Sequence, residues 1–247
     1  MTRETGSGRD HVLLGDAALE EALRVRKLEA AHPAVRSQVS IEDDEVLVLG
    51  SESHQSVRDI SLLAALPEMT IVQPGSSEET RALLRWAVEQ SSENVAIRLA
   101  IGPSPRRIEL SGDVMAGRGS TLHEGADAIL FAYGPVMLHE ALTAAELLDQ
   151  QGLGLAIVNM PWLNRFDEAW LAQAIGPYEQ VLVLEDHAPI GGLGDGLRRG
   201  LEGRSLIVFG VEGWPACGAP AEALRAHGLD GASLAERIET ALGLTEA

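Results

Sequence analysis

The residues best placed to do chemistry lie in the run Ser51-Glu52-Ser53-His54-Gln55-Ser56. It directly follows an apolar stretch and precedes a helical pattern bearing Ile60, Leu62 and Leu63. Loops at the carboxyl ends of strands form the ligand crevice of open α/β sheets. An imidazole there can hydrogen-bond or shuttle protons near neutral pH. The same residues also read as a polar strand-to-helix loop whose serine caps the helix. Arg98 closes an otherwise apolar run, so its guanidinium is expected at the same crevice edge, suited to a carboxylate or phosphate. The alternative for Arg98 is a structural ion pair with one of the many carboxylates.

The remaining reactive side chains carry weaker signals. None of the seven histidines pairs with another at a spacing of four, as a metal-binding helix would show. Gly191-Gly192-Leu193-Gly194 does not fit G-x-G-x-x-G in any register, and Asp195 would set negative charge against a phosphate. Tight packing between loop and helix suits these glycines better. Cys217 is the single cysteine, which excludes an intrachain disulfide and a cysteine-based zinc site. No basic residue adjoins it, so a buried or idle thiol is expected rather than a nucleophile. A serine-hydrolase elbow G-x-S-x-G is absent.

Seven short apolar runs must position these groups: 46–49, 69–72, 95–98, 128–131, 155–158, 181–184 and 206–209. Continuous runs of that length suit strands buried on both faces. Between them lie helix signals. Ser76 with Glu79 reads as a capping box, Pro135 as a first helical position, Gly176-Pro177 as a stop, and Ser233 with Glu236 as the last cap. Alternating strands and helices predict an α/β fold, its mostly parallel sheets covered by helices on both faces. Composition divides the chain into a polar, helical segment over 1–44, an α/β unit over 45–100, a Gly/Pro/Ser-rich linker over 101–124 and an α/β domain over 125–247.

The whole chain bounds the partners. Its 247 residues, 45% of them hydrophobic, suffice for one large domain or two small ones. Nineteen basic against 37 acidic residues leave a net charge of −18, which repels nucleic acid and anionic lipid. With neither a long apolar run nor a signal-peptide pattern, a cytoplasmic protein is expected.

Several ordered motifs resemble the transketolase family of thiamine-diphosphate enzymes, over residues 46–246. Ser53-His54-Gln55 followed by Asp59-Ile60, then Pro67-Glu68-Met69-Thr70-Ile71-Val72 and a strand ending in Arg98, looks like the end of its pyrimidine-binding domain. Residues 125–246 look like its C-terminal domain, with Gly125-Ala126-Asp127 entering the first strand and Phe131-Ala132-Tyr133-Gly134 ending it. Glu185-Asp186-His187 and Gly191-Gly192-Leu193-Gly194 match that domain's signature. The resemblance implies that His54 faces cofactor and substrate, with Gln55 beside it as a substrate-binding residue. It implies that Arg98 binds a sugar phosphate, and that Asp59 is structural.

The resemblance also implies groups that are not found here. The 53 residues before His54 contain neither the family's G-x-x-E-Q segment, whose glutamate activates the cofactor, nor any aromatic residue. The diphosphate-binding domain with its G-D-G…N metal motif is likewise missing from the 247 residues. The expectation is therefore the C-terminal subunit of a split transketolase-like complex, moving a two-carbon ketol unit from a ketose or ketose phosphate. Thiamine diphosphate and Mg²⁺ would be held mainly by a partner subunit, and the C-terminal domain would self-associate. The alternatives are a non-catalytic interaction subunit, or a subunit of a deoxyxylulose-phosphate synthase-like or 2-oxo-acid dehydrogenase-like enzyme.

Overall fold

The computed structural model describes residues 57–100, 104–109, 114–201 and 203–243, with the strand backbone of 28–30, 38–41 and 46–50. His54 and Gln55 lie outside the described residues. All seven expected runs are strands, in two sheets. The first sheet contains β1 (Leu28–Ala30), β2 (Gln38–Ile41), β3 (Val46–Gly50), β4 (Met69–Val72) and β5 (Asn94–Leu99), in the order β1-β2-β3-β5-β4. Its β3, β5 and β4 are parallel, and β1 and β2 add on antiparallel.

The second sheet contains β6 (Ser120–His123), β7 (Ala128–Ala132), β8 (Leu155–Asn159), β9 (Gln180–Leu184) and β10 (Leu206–Phe209), in the order β10-β9-β7-β8-β6. Every pair is parallel except β6 with β8. This is the α/β architecture expected.

Three local readings need correction. Leu28–Ala30 and Gln38–Ile41 are strands inside a segment expected to be helical, whose helical pattern around Leu19–Leu23 lies outside the described residues. Residues 120–123, expected as linker, form the antiparallel edge of the second sheet. Antiparallel strands this short carry little periodicity, because only partners across the sheet define them. The last helix starts at Gly231 with Asp230 as its cap, not at Ser233, whose N–H instead donates to Asp230 Oδ1 at 3.3 Å.

Among the described residues the helices are α1 (Asp59–Leu63), α2 (Ser77–Glu89), α3 (Gly134–Asp149), α4 (Glu168–Ile175), α5 (Leu193–Arg198), α6 (Pro220–Ala226) and α7 (Gly231–Ala241). Ser76 caps α2 as expected, its Oγ accepting the Glu79 N–H at 3.1 Å. That helix buries Leu83, Leu84, Trp86 and Ala87, each large side chain contributing about 1.5–3 kcal/mol.

One apolar cluster joins the two sheets, running from Ile60, Ile71 and Trp86 to Phe131, Tyr133 and Trp162. Trp86 meets Trp162 edge to face, with ring centroids 4.6 Å apart. The chain after β8 also runs along the free edge of β4: Leu163 N–H donates to Ile71 O at 2.9 Å and Gln73 N–H to Pro161 O at 2.8 Å. Asn164 completes the seam, accepting from Ile71 N–H and donating to Met69 O. Pairing the edge satisfies β4 backbone groups and fixes one sheet against the other.

Candidate functional site

The carboxyl ends of β4, β5, β7 and β9 converge where the two sheets meet, and α1 closes the same place. Arg98 sits near the end of β5, its side chain only 7% exposed. Its Nε–H donates to Asp59 Oδ2 at 2.6 Å and its Nη2 to Asp59 Oδ1 at 3.2 Å. Nη1 donates to Asp186 Oδ1 at 3.0 Å, just past β9, and also to Gln73 Oε1, just past β4. Tyr133, at the start of α3, donates its hydroxyl to the same Asp186 Oδ1 at 2.9 Å. Guanidinium forks match carboxylates in this two-point manner.

The charges explain each other. Burial disfavours a cation at Arg98, but Asp186, Tyr133 and Asp59 outweigh it and its pKa is pushed up. Burial likewise opposes charge on Asp186, yet Arg98 and the Tyr133 hydroxyl hold the carboxyl below its ordinary range. Tyr133 is pushed well above its ordinary value, first by burial and then by Asp186 and Glu185. Among the described residues, the cluster therefore sets one guanidinium against two carboxylates.

The rest of the E-D-H motif is buried. Glu185 Oε2 accepts the Leu193 N–H at 2.7 Å, at the start of α5, while its Oε1 has no hydrogen-bond partner. Burial pushes the Glu185 carboxyl up to about 8, partly countered by the Leu193 N–H. His187 is fully buried and burial pulls its pKa down. The glycines that follow pack tightly, as expected. A Cβ on Gly192 would come within 2.1 Å of Glu185 Oε2, and Gly191 adopts φ 74° against Ser61.

A second buried carboxyl, missed in the sequence beyond its capping role, lies alongside. Glu79 accepts from Gly75 N–H at 2.6 Å and from Asn159 Nδ2 at 2.7 Å, tying α2 to the end of β8; burial raises its pKa. Its partner Asn159 lies 80 positions away, and no local pattern reports such a pairing.

The sequence reading left Arg98 between crevice anchor and structural ion pair. The structure brings Arg98 together with Asp59 and engages four guanidinium hydrogen bonds within the protein. Cys217 is exposed rather than buried. Among the described residues no group of three or more His, Cys, Asp or Glu could hold a metal, and no helix is long and apolar enough to cross a membrane. The one buried crevice cation is already matched by two carboxylates, so the described residues do not fit a diphosphate with its Mg²⁺.

Known proteins resemble this chain in the same order. The transketolase pyrimidine-binding domain model matches residues 49–101, and the transketolase C-terminal domain model residues 117–234. The 1-deoxy-D-xylulose-5-phosphate synthase of Clostridium botulinum (strain Alaska E43 / Type E3) is 33% identical over 144 residues, covering 58% of this chain and 23% of that protein. The synthase of Chlorobium luteolum (strain DSM 273 / BCRC 81028 / 2530) is 31% identical over 195 residues, covering 76% of this chain and 30% of that protein. The chain thus spans about a quarter to a third of the length of these curated relatives.

Among solved structures, one described as "Split gene transketolase, inactive beta4 tetramer" superposes with a TM-score of 0.74 at 28% identity. It covers 81% of this chain and 68% of its own. Transketolase from Campylobacter jejuni subsp. jejuni NCTC 11168 shares the fold at 18% identity, with a TM-score of 0.61 over 79% of this chain and 31% of its own. With its motifs, sheets and matched domains in the family's order, this chain belongs to the thiamine-diphosphate-dependent transketolase family and carries that family's C-terminal section.

Proposed function

We propose that the chain is the C-terminal subunit of a split transketolase-like complex that transfers a two-carbon ketol unit from a ketose or ketose phosphate to an acceptor. One observation carries the reading: three separated family motifs supply one cluster, Asp59 after the His-Gln pair, Arg98 at the end of β5 and Asp186 of the E-D-H run. The similarity to a split-gene transketolase supports division between chains. A partner subunit would hold thiamine diphosphate and Mg²⁺, which supply the carbanion chemistry when bound. Within this chain His54 would move protons and orient substrate, Gln55 would bind it, and Arg98 would anchor an anionic group that takes the place of the partly exposed Asp186 carboxylate on its Nη1. Self-association through the C-terminal domain completes the proposal.

Recovery of the tagged chain from its host, with co-purifying chains identified by mass, tests the assembly. A partner bearing a G-D-G…N motif is expected, and the reconstituted complex should turn over ketose donors with thiamine diphosphate and Mg²⁺. Replacing Arg98 with Ala should raise KM for a phosphorylated donor by about tenfold or more, and for an unphosphorylated donor much less. Equal effects on both donors would remove Arg98 as the anchor.

Two other readings each have an observation behind them. The curated relatives are 1-deoxy-D-xylulose-5-phosphate synthases, so formation of that product by the same complex would favour a synthase-like subunit. One of the structural neighbours is described as an inactive beta4 tetramer. Recovery of self-associated chain alone would favour a non-catalytic interaction subunit.

A further inference from the structure

We propose that Asp186 and His187 are positioning residues for the crevice: the loop after β9 fixes Arg98 and the first turn of α1, the helix that follows the His54-Gln55 run in the sequence. The proposal rests on the reading of this crevice as a substrate site. It gives the E-D-H motif a task beyond the packing of its own domain.

The contacts all point one way, from the second sheet onto segment 57–61. Ala188 N–H donates to Val57 O at 2.9 Å. Ser61 N–H donates to His187 Nε2 at 3.4 Å, and His187 Nδ1 lies 2.6 Å from Ala188 O. An amide N–H can only donate and a carbonyl can only accept. These contacts fit a neutral imidazole with its proton on Nδ1 and its Nε2 lone pair turned to Ser61, the form that burial favours. Gly191, at φ 74°, lets the loop backbone close against Ser61, where a Cβ would come within 2.4 Å of the serine Cβ. Beside these, Asp186 holds the Arg98 Nη1 and the Tyr133 hydroxyl.

The recipient cannot place itself. α1 has five residues and no side-chain cap at Arg58, and a helix that short does not persist on local hydrogen bonds. His187 has no exposed surface, so it acts through α1 rather than on a substrate.

Amide hydrogen exchange and the His54 imidazole resonances, followed by NMR in the full chain, test this without requiring activity. His187→Ala should speed exchange at Ser61 by about tenfold and shift the His54 signals, with the amides of Ile157 and Leu182 unchanged. His187→Gln, whose carbonyl can still accept from Ser61, should restore both. Asp186→Asn should move the Arg98 Nε–H resonance while leaving Ser61 protected. Unchanged protection at Ser61, an equal loss across β8 and β9, or His54 signals that stay put while Ser61 loosens would each overturn the proposal. An inactive reconstituted complex counts against the transferase reading alone, since the exchange pattern decides the loop's role independently.

Discussion

Arg98 illustrates how a buried charge constrains its neighbours. Removing the guanidinium leaves Asp59 and Asp186 without the cation that both bind. Arg98→Met should therefore cost about 2–4 kcal/mol of stability in urea unfolding; a loss under about 0.5 kcal/mol would mean that solvent already screens the pair. Glu185 offers a pH readout. Its carboxyl is raised from 4.5 to about 8, so the folded protein binds a proton that the unfolded chain has released between those values. The stability this group contributes is complete below 4.5 and is lost as pH rises through about 8. Glu185→Gln cannot ionise. Relative to the wild type, its unfolding free energy should rise by on the order of 2–4 kcal/mol from acid to alkaline pH. A difference that stays flat with pH would place the Glu185 titration elsewhere.

At the scale of elements, glycines show where backbones must approach. Gly203 and Gly191 both hold positive φ, 87° and 74°, but only Gly191 has a neighbour in the way. Gly203→Ala should cost about 1–2 kcal/mol, for backbone conformation alone. Gly191→Ala adds a collision with Ser61 and should cost about 2–4 kcal/mol. Thermal unfolding of the two variants checks the contrast; equal losses would show that α1 shifts aside freely. The helix signals at Ser76 and Pro135 worked because capping chemistry is local. The helix begins at the earlier of two good caps, Asp230 rather than Ser233, since a local pattern fixes a helix end only to within a few residues.

At the scale of the molecule, a net charge of −18 sets the terms of association. Two such chains repel, so self-association should strengthen as salt rises from about 20 to about 300 mM, where the Debye length falls below about 10 Å. Sedimentation velocity across that range checks it, and an assembly that weakens with salt would mean that opposite charges meet at its interface. The family belongs to this scale too. Its motifs lie scattered from His54 to Gly194, and their order, more than any single one, made the resemblance specific.

The α/β class and all seven expected strands were legible in local composition, because burial on both sides of a parallel sheet demands continuous apolar runs. The sequence also located Arg98 and the E-D-H run and marked the glycine loop as packing. What these groups touch follows from the packing of the two sheets. Asp59 and Arg98 lie 39 positions apart, and Arg98 and Asp186 lie 88 apart; no local spacing reports contacts that form only when two sheets meet at their carboxyl ends. The short strands β1, β2 and β6, at or next to a sheet edge, escaped for the same reason. Their identity resides in the neighbour they pair with, and that neighbour is supplied by the fold.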